Sequence, residues 1–98
     1  MHLCLVMTDI TKRFDLSAKM VKLLKPGATD TELLKLYGLF KQSNFGDCNI
    51  TEPSKLFNLR ENAKWNAWNS VKGLKKYDAM NKYSDIAMIL IDKYGIKK

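Results

Sequence analysis

The segment NAKWNAWNSVKG, residues 62–73, holds both tryptophans of the chain, Trp65 and Trp68, with Lys64 directly before the first. A spacing of three puts two side chains on neighbouring positions of one helix face. Lys64, about 100° around the helix from Trp65, points off the shoulder of that face. An apolar wall with a cation at its edge suits a ligand with an anionic head and an apolar tail. Core packing is the commoner use of aromatic residues at this spacing. A second pair, Tyr37 and Lys41, is four residues apart, which stacks a phenol and an ammonium along one side of a helix. With Tyr83 added, the set offers phenol donors, aromatic surface and ammonium groups. Phosphates want the donors and cations; a nucleobase wants the aromatic face.

Catalytic chemistry is poorly supplied. The single histidine is His2, so no nucleophile and base pair up in sequence. There is no Gly-rich phosphate loop. Cys4 and Cys48 form no CxxC and, with one histidine, no metal-ligand set. The chain is expected to be neither an enzyme nor a metalloprotein, and to hold no cofactor.

The charge balance narrows the partners. The formal net charge is +7, carried by 15 lysines and two arginines against ten carboxylates. Lysine is a point charge suited to phosphate, whereas base readers lean on arginine for bidentate contacts. Two cysteines do not make a disulfide framework, so a reducing compartment is expected. The apolar run at residues 3–7 is too short for a signal sequence, and nothing approaches a membrane span.

Four helices must position these residues. Residues 1–8 read as a loose lead-in to a single domain spanning 1–98. Thr8 or Asp9 can cap a first helix carrying Phe14, Ala18, Val21 and Leu24, which Pro26-Gly27 ends. Thr29 and Glu32 have the form of a capping box for the second, whose apolar face holds Leu33, Leu34, Leu36, Tyr37 and Phe40. It ends in the turn chemistry of Asn44-Phe45-Gly46-Asp47. Residues 46–57 carry no periodicity and are expected to pack across the helices. Asn58 and Glu61 suggest a weaker box for the third helix, with Gly73 as its stop. The fourth begins near Lys76 and carries the stripe Ala79, Met80, Tyr83, Ile86, Ala87, Leu90. The fold class is all-α, a four-helix bundle.

These residues carry a resemblance. YGLFKQSNFGDCN at residues 37–49, Pro53, NAKWNAWNSVKG, DAMNKY at residues 78–83 and DKYGI at residues 92–96 resemble the acyl-CoA-binding protein family, in that family's order across nearly the whole chain. The resemblance implies an antiparallel four-helix bundle that binds long-chain fatty acyl-CoA esters as a cytoplasmic, monomeric carrier and pool former. It implies acyl-CoA-using enzymes and transient membrane contact as further partners, and no nucleic acid. By matching position, Tyr37, Lys41 and Lys64 would meet the CoA 3′-phosphate and adenosine portion, and Tyr83 would line the same nucleotide site. Lys22 and Leu34 would lie near the head group, and Trp65 along the acyl chain. Phe14 would help pack the helices.

The chain also departs from the family pattern. Phe40 stands where tyrosine is common, so a phenol hydroxyl is absent while ring stacking can persist. The segment between Pro53 and Lys64 is one residue longer than in common members. Lys75 stands where a capping serine is common. Two other readings of the residues remain: a small basic nucleic-acid-binding helical module, opposed by the scarcity of arginine and the lack of a recognition motif, and a protein-interaction bundle without a small ligand.

Overall fold

The computed structural model describes residues 2–97, with side chains for residues 10–97. It contains four helices: α1 (His2–Val21), α2 (Asp30–Phe45), α3 (Leu59–Asn69) and α4 (Lys76–Tyr94). The chain is all-α among the described residues, its extended structure being one isolated bridge between Leu24 and Ile96.

The start of α1 differs from expectation. The helix begins at His2 and not at a cap formed by Thr8 or Asp9, so residues 2–8 are helical and not a loose lead-in. The run HLCLVM contains neither glycine nor proline, and nothing in its backbone chemistry interrupts a helix. Met1 lies outside the described residues, as do the side chains of His2, Cys4, Thr8 and Asp9.

The capping box of α2 forms as its sequence requires. Thr29 Oγ1 accepts from the Glu32 amide at 3.1 Å, and Glu32 Oε1 accepts from the Thr29 amide at 2.9 Å. Glu32 also accepts from the Tyr94 hydroxyl at 2.7 Å and pairs with Lys93 at 3.2 Å, so one carboxylate ties the start of α2 to the end of α4. The box expected of α3 is absent: the Asn58 side chain makes no cap bond, and Glu61 pairs with Lys64 at 3.6 Å instead. Asn58 sits at φ −138° and ψ 60°, away from the extended geometry that a capping side chain needs. α3 ends at Asn69, and Gly73 closes the turns that follow at φ 91°. Lys75 precedes α4 without any side-chain cap bond.

The contacts give the helix directions. Glu32 meets Lys93 and Tyr94 while the Gln42 amide donates to the Leu74 carbonyl, so α2 and α4 run antiparallel. Arg13 pairs with Asp85 and Leu24 bridges Ile96, so α1 and α4 run the same way. Tyr37 meets Lys64 and Phe45 meets Trp68, so α2 and α3 also run the same way. That last pairing explains the long irregular segment. α2 is 16 residues long, about 24 Å at 1.5 Å per residue, and the chain must return that distance before α3 can start beside the start of α2.

The returning segment packs down, as expected. Buried Asn62 donates to Glu52 Oε2 at 2.9 Å and to the Pro53 carbonyl at 2.7 Å, while Trp65 Nε1–H donates to the Ile50 carbonyl at 2.8 Å. Asp47 accepts from Gln42 and from the Gly73 amide, joining both ends of the α3 region. These donors hold its carboxyl below the usual range.

The core is Phe14, Leu36, Leu39, Ala79, Tyr83, Ala87 and Leu90. The α4 stripe supplies more than half of it, and its two alanines let the neighbouring helices approach. Gly38 sets the approach of α2 to α3. A Cβ there would stand 2.3 Å from the Ala67 carbonyl oxygen, so only glycine fits.

Candidate functional site

α1 packs on α4, and α3 packs on α2; among the described residues α1 and α2 meet through side chains, Phe14 on Phe40, and their backbones do not approach closely. This leaves the outward face of α2 open. Leu33, Tyr37 and Phe40 follow one another at spacings of four and three on that face, with α1 on one side and α3 on the other. Leu33 and Phe40 remain exposed although apolar.

Three depressions cover this face. The one beside α1, about 360 Å³, is lined by Lys19, Val21, Lys22, Phe40 and Tyr83 among others. The middle one, about 190 Å³, shares Val21, Phe40 and Tyr83 with the first and adds Leu33, Leu36 and Tyr37. The one beside α3, about 610 Å³, shares Leu33 and Tyr37 with the middle and adds Leu34, Leu59, Arg60 and Lys64. Shared walls make them one trough. Its middle is aromatic and aliphatic; Lys19 and Lys22 stand at one end beside Asp15, and Arg60 and Lys64 at the other beside Asp30, so cations outnumber carboxylates at both ends.

The rings hold one another in place. Phe14 stacks on Phe40 with centroids 5.8 Å apart and meets Tyr83 edge-on at 5.1 Å. Phe40 and Tyr83 centroids are 6.0 Å apart. Burial pushes the Tyr83 phenol pKa up, so it stays protonated and able to donate at neutral pH. At the α3 end, Lys64 Nζ lies 5.6 Å from the Tyr37 ring centroid, within cation–π range.

The trough therefore gathers Lys22, Leu34, Tyr37, Phe40, Lys64 and Tyr83 from the set read in the sequence. Lys41 and Trp65 do not line it. Lys41 Nζ lies 4.5 Å from the Phe45 centroid and 5.0 Å from that of Trp68. Trp65 is half-buried and tied to the Ile50 carbonyl. Trp68 is buried, and its Nε1–H donates to the Gly46 carbonyl at 2.8 Å. Leu33, read in the sequence only as part of an apolar face, and Arg60, not read as a site residue, also line the trough. A signal existed for both: Leu33 is four residues before Tyr37, and Arg60 four before Lys64, each on the same helix face. A slightly larger depression of about 690 Å³ lies on the other side of α2, at Lys35, Leu39, Lys72, Lys82 and Ile86. None of the candidate ligand-binding residues read in the sequence lines it.

Among the described residues, no group of three His, Cys, Asp or Glu side chains could hold a metal ion, and no helix is long and apolar enough to cross a membrane. A trough with an apolar middle and cationic ends can hold an elongated amphiphile with anionic groups. Similar solved structures and known sequences speak to the same point. The profile of the family described as "Acyl CoA binding protein" matches residues 11–87. The "Acyl-CoA-binding protein homolog 1" of Caenorhabditis elegans is 48% identical over 86 residues, which cover 88% of this chain and 99% of that one. The crystal structure of Oryza sativa Acyl-CoA-Binding Protein 2 superposes with a TM-score of 0.84 at 31% identity, covering 88% of this chain and 92% of the other. That of ACBP from Moniliophthora perniciosa superposes at 0.77 with 34% identity, over 85% and 81%. A profile match over most of the chain, close relatives along their full length and the same helix arrangement agree with the motifs read above: the chain belongs to the acyl-CoA-binding protein family.

Proposed function

We propose that this chain binds long-chain fatty acyl-CoA esters in the trough over α2 and acts as a carrier and pool former, not as an enzyme. The observation that supports this most is the joining of Phe40, Tyr37 and Tyr83 into one aromatic and apolar wall with Lys22 at one end and Lys64 at the other. In this reading, ammonium groups and the Tyr37 and Tyr83 hydroxyls hold the CoA phosphates, and ring faces hold the adenine. Lys41 stands one helical turn beyond Tyr37 and would add charge near the 3′-phosphate. Leu33 and Leu34 would take apolar parts of the ligand, and Trp65 would border the acyl chain. The relatives' names carry the same ligand.

The energetics suit a reversible carrier. CoA is polyanionic, and the chain carries +7, so the pair attract before contact. Each methylene buried adds about 0.8 kcal/mol, so affinity rises with chain length until the apolar surface is used. The proposal extends to a single domain across residues 1–98, a monomer, a cytoplasmic location, a role in fatty-acid metabolism and transport, and transient exchange with acyl-CoA-using enzymes and membranes. Calorimetry with a long-chain acyl-CoA, the free fatty acid and CoA alone tests it. The acyl-CoA is expected to bind at least tenfold tighter than either part; equal affinity for the free acid would remove the CoA-binding role of the trough.

A further inference from the structure

We infer that the turn before α3 is a docking element for the surface of an anionic lipid bilayer. Leu56, Phe57 and Leu59 are 86%, 87% and 74% exposed, the three most exposed large apolar residues described. They are consecutive but for Asn58, so they make one exposed apolar stretch. The turn is braced and does not hold them outward by chance. Ser54 Oγ accepts from the amides of Leu56 and Phe57, both at 3.2 Å, and the Ser54 carbonyl accepts from the Asn58 amide at 3.0 Å. Beneath it, the Asn62 side chain grips Glu52 and the Pro53 carbonyl. Ordering this backbone gains nothing for a core, because the three side chains bury little surface in the folded chain.

Charge and position select the occupant. Lys55 and Arg60 flank the apolar residues, and among the described residues no carboxylate pairs with either. The nearby Glu61 is engaged by Lys64. Exposed leucine and phenylalanine bounded by cations fit the headgroup boundary, where apolar side chains insert and ammonium and guanidinium groups meet lipid phosphate. A protein partner would need pockets matched to three highly exposed side chains, whereas acyl chains part around them. The net charge of +7 adds long-range attraction to an anionic leaflet. Leu59 and Arg60 also line the α3 end of the trough. Docking therefore sets the trough mouth against the bilayer, where an amphiphile can pass between the two. Docking itself stands apart from the acyl-CoA reading; only this consequence for transfer rests on it.

Co-flotation of the ligand-free protein with vesicles tests the inference, comparing phosphatidylcholine alone with phosphatidylcholine containing phosphatidylserine. The protein is expected to float with the mixed vesicles. Leu56→Ser/Phe57→Ser is expected to lower the partition coefficient about tenfold or more, with unchanged far-UV circular dichroism. Lys55→Gln is expected to weaken binding only to the anionic vesicles. Phe57→Trp gives a second readout: its emission should shift to the blue on adding mixed vesicles. Absence of flotation, equal flotation of the double variant, or an unshifted Phe57→Trp emission would overturn the inference. So would a concentration-dependent dimer lost in the double variant, which would mean that a second copy covers the patch. Calorimetry of the unsubstituted protein with acyl-CoA in solution, set beside its flotation, separates the two readings. Flotation without acyl-CoA binding leaves docking standing and removes the ligand; binding without flotation does the reverse.

Discussion

Replacing Lys64 by alanine removes one ammonium from the α3 end of the trough, beside Tyr37. Its side chain is 39% exposed, with Nζ 3.6 Å from Glu61 and 5.6 Å from the Tyr37 centroid. A charge-assisted bond to a ligand phosphate contributes about 1.5–3 kcal/mol. The substitution also leaves the Glu61 carboxylate facing that phosphate without its cation. Two like charges about 5 Å apart in water repel by about 0.8 kcal/mol. The expected loss is therefore about 2–4 kcal/mol, about 30-fold to several hundredfold in the acyl-CoA dissociation constant. Isothermal calorimetry at constant ionic strength reads it directly. The loss should appear with CoA alone as well as with acyl-CoA, because it acts on the head group. Adding Glu61→Gln should recover about threefold to fivefold. Unaltered affinity, or a loss confined to the acyl chain, would refute the placement of Lys64 at the phosphates.

Gly38→Ala puts a methyl group 2.3 Å from the Ala67 carbonyl oxygen, so α3 must move away from α2. Overpacking of this kind costs about 1–3 kcal/mol even after the gain in helix propensity, a fall of about 4–20 °C in Tm; an unchanged Tm would show that the helices are not so close. Glu32, held by the Thr29 amide, the Tyr94 hydroxyl and Lys93, has its pKa lowered from 4.5 to about 2. Its stabilising effect is complete above pH 4.5 and fades as the pH falls toward 2, so Glu32→Gln should flatten the acid limb of a stability–pH curve, with the Asp47 contribution remaining. With Trp65 and Trp68 replaced singly by phenylalanine, acyl-CoA should change the emission of the protein that retains Trp65 and leave that of buried Trp68 nearly constant; the opposite pattern would reverse their assignment.

Much of this arrangement is legible in the sequence because local chemistry and tertiary packing agree there. The α4 stripe is one case: Ala79, Tyr83, Ala87 and Leu90 are all buried. The Thr29–Glu32 box is another, since its partners are three residues apart and need nothing distant. Where distant contacts decide, the sequence is silent. Nothing around Gly38 announces that the Ala67 carbonyl will lie against it. Residues 46–57 read as irregular, but the reason, a return along α2 so that α3 can run the same way, exists only in three dimensions. Leu33 and Phe40 read as core by periodicity, yet they stay exposed because α1 leans on α4 and leaves α2 uncovered. Asn58 and Glu61 have capping types at capping spacing, but the turn braced by Ser54 sets a different backbone and leaves Glu61 to Lys64. Lys41 and Trp65 share helices with trough residues, yet both are drawn toward the C-terminal half of α2 and the returning segment.

The claim that the α2 trough is where ligand sits is tested most directly by amide NMR during titration with a long-chain acyl-CoA. The account predicts shifts concentrated at Lys22, residues 33–41, residues 60–65 and Tyr83, with the amides of Lys72, Lys82 and Ile86, which line the depression on the far side of α2, little changed. Shifts centred on that far side, with Tyr37, Phe40 and Tyr83 unmoved, would contradict it.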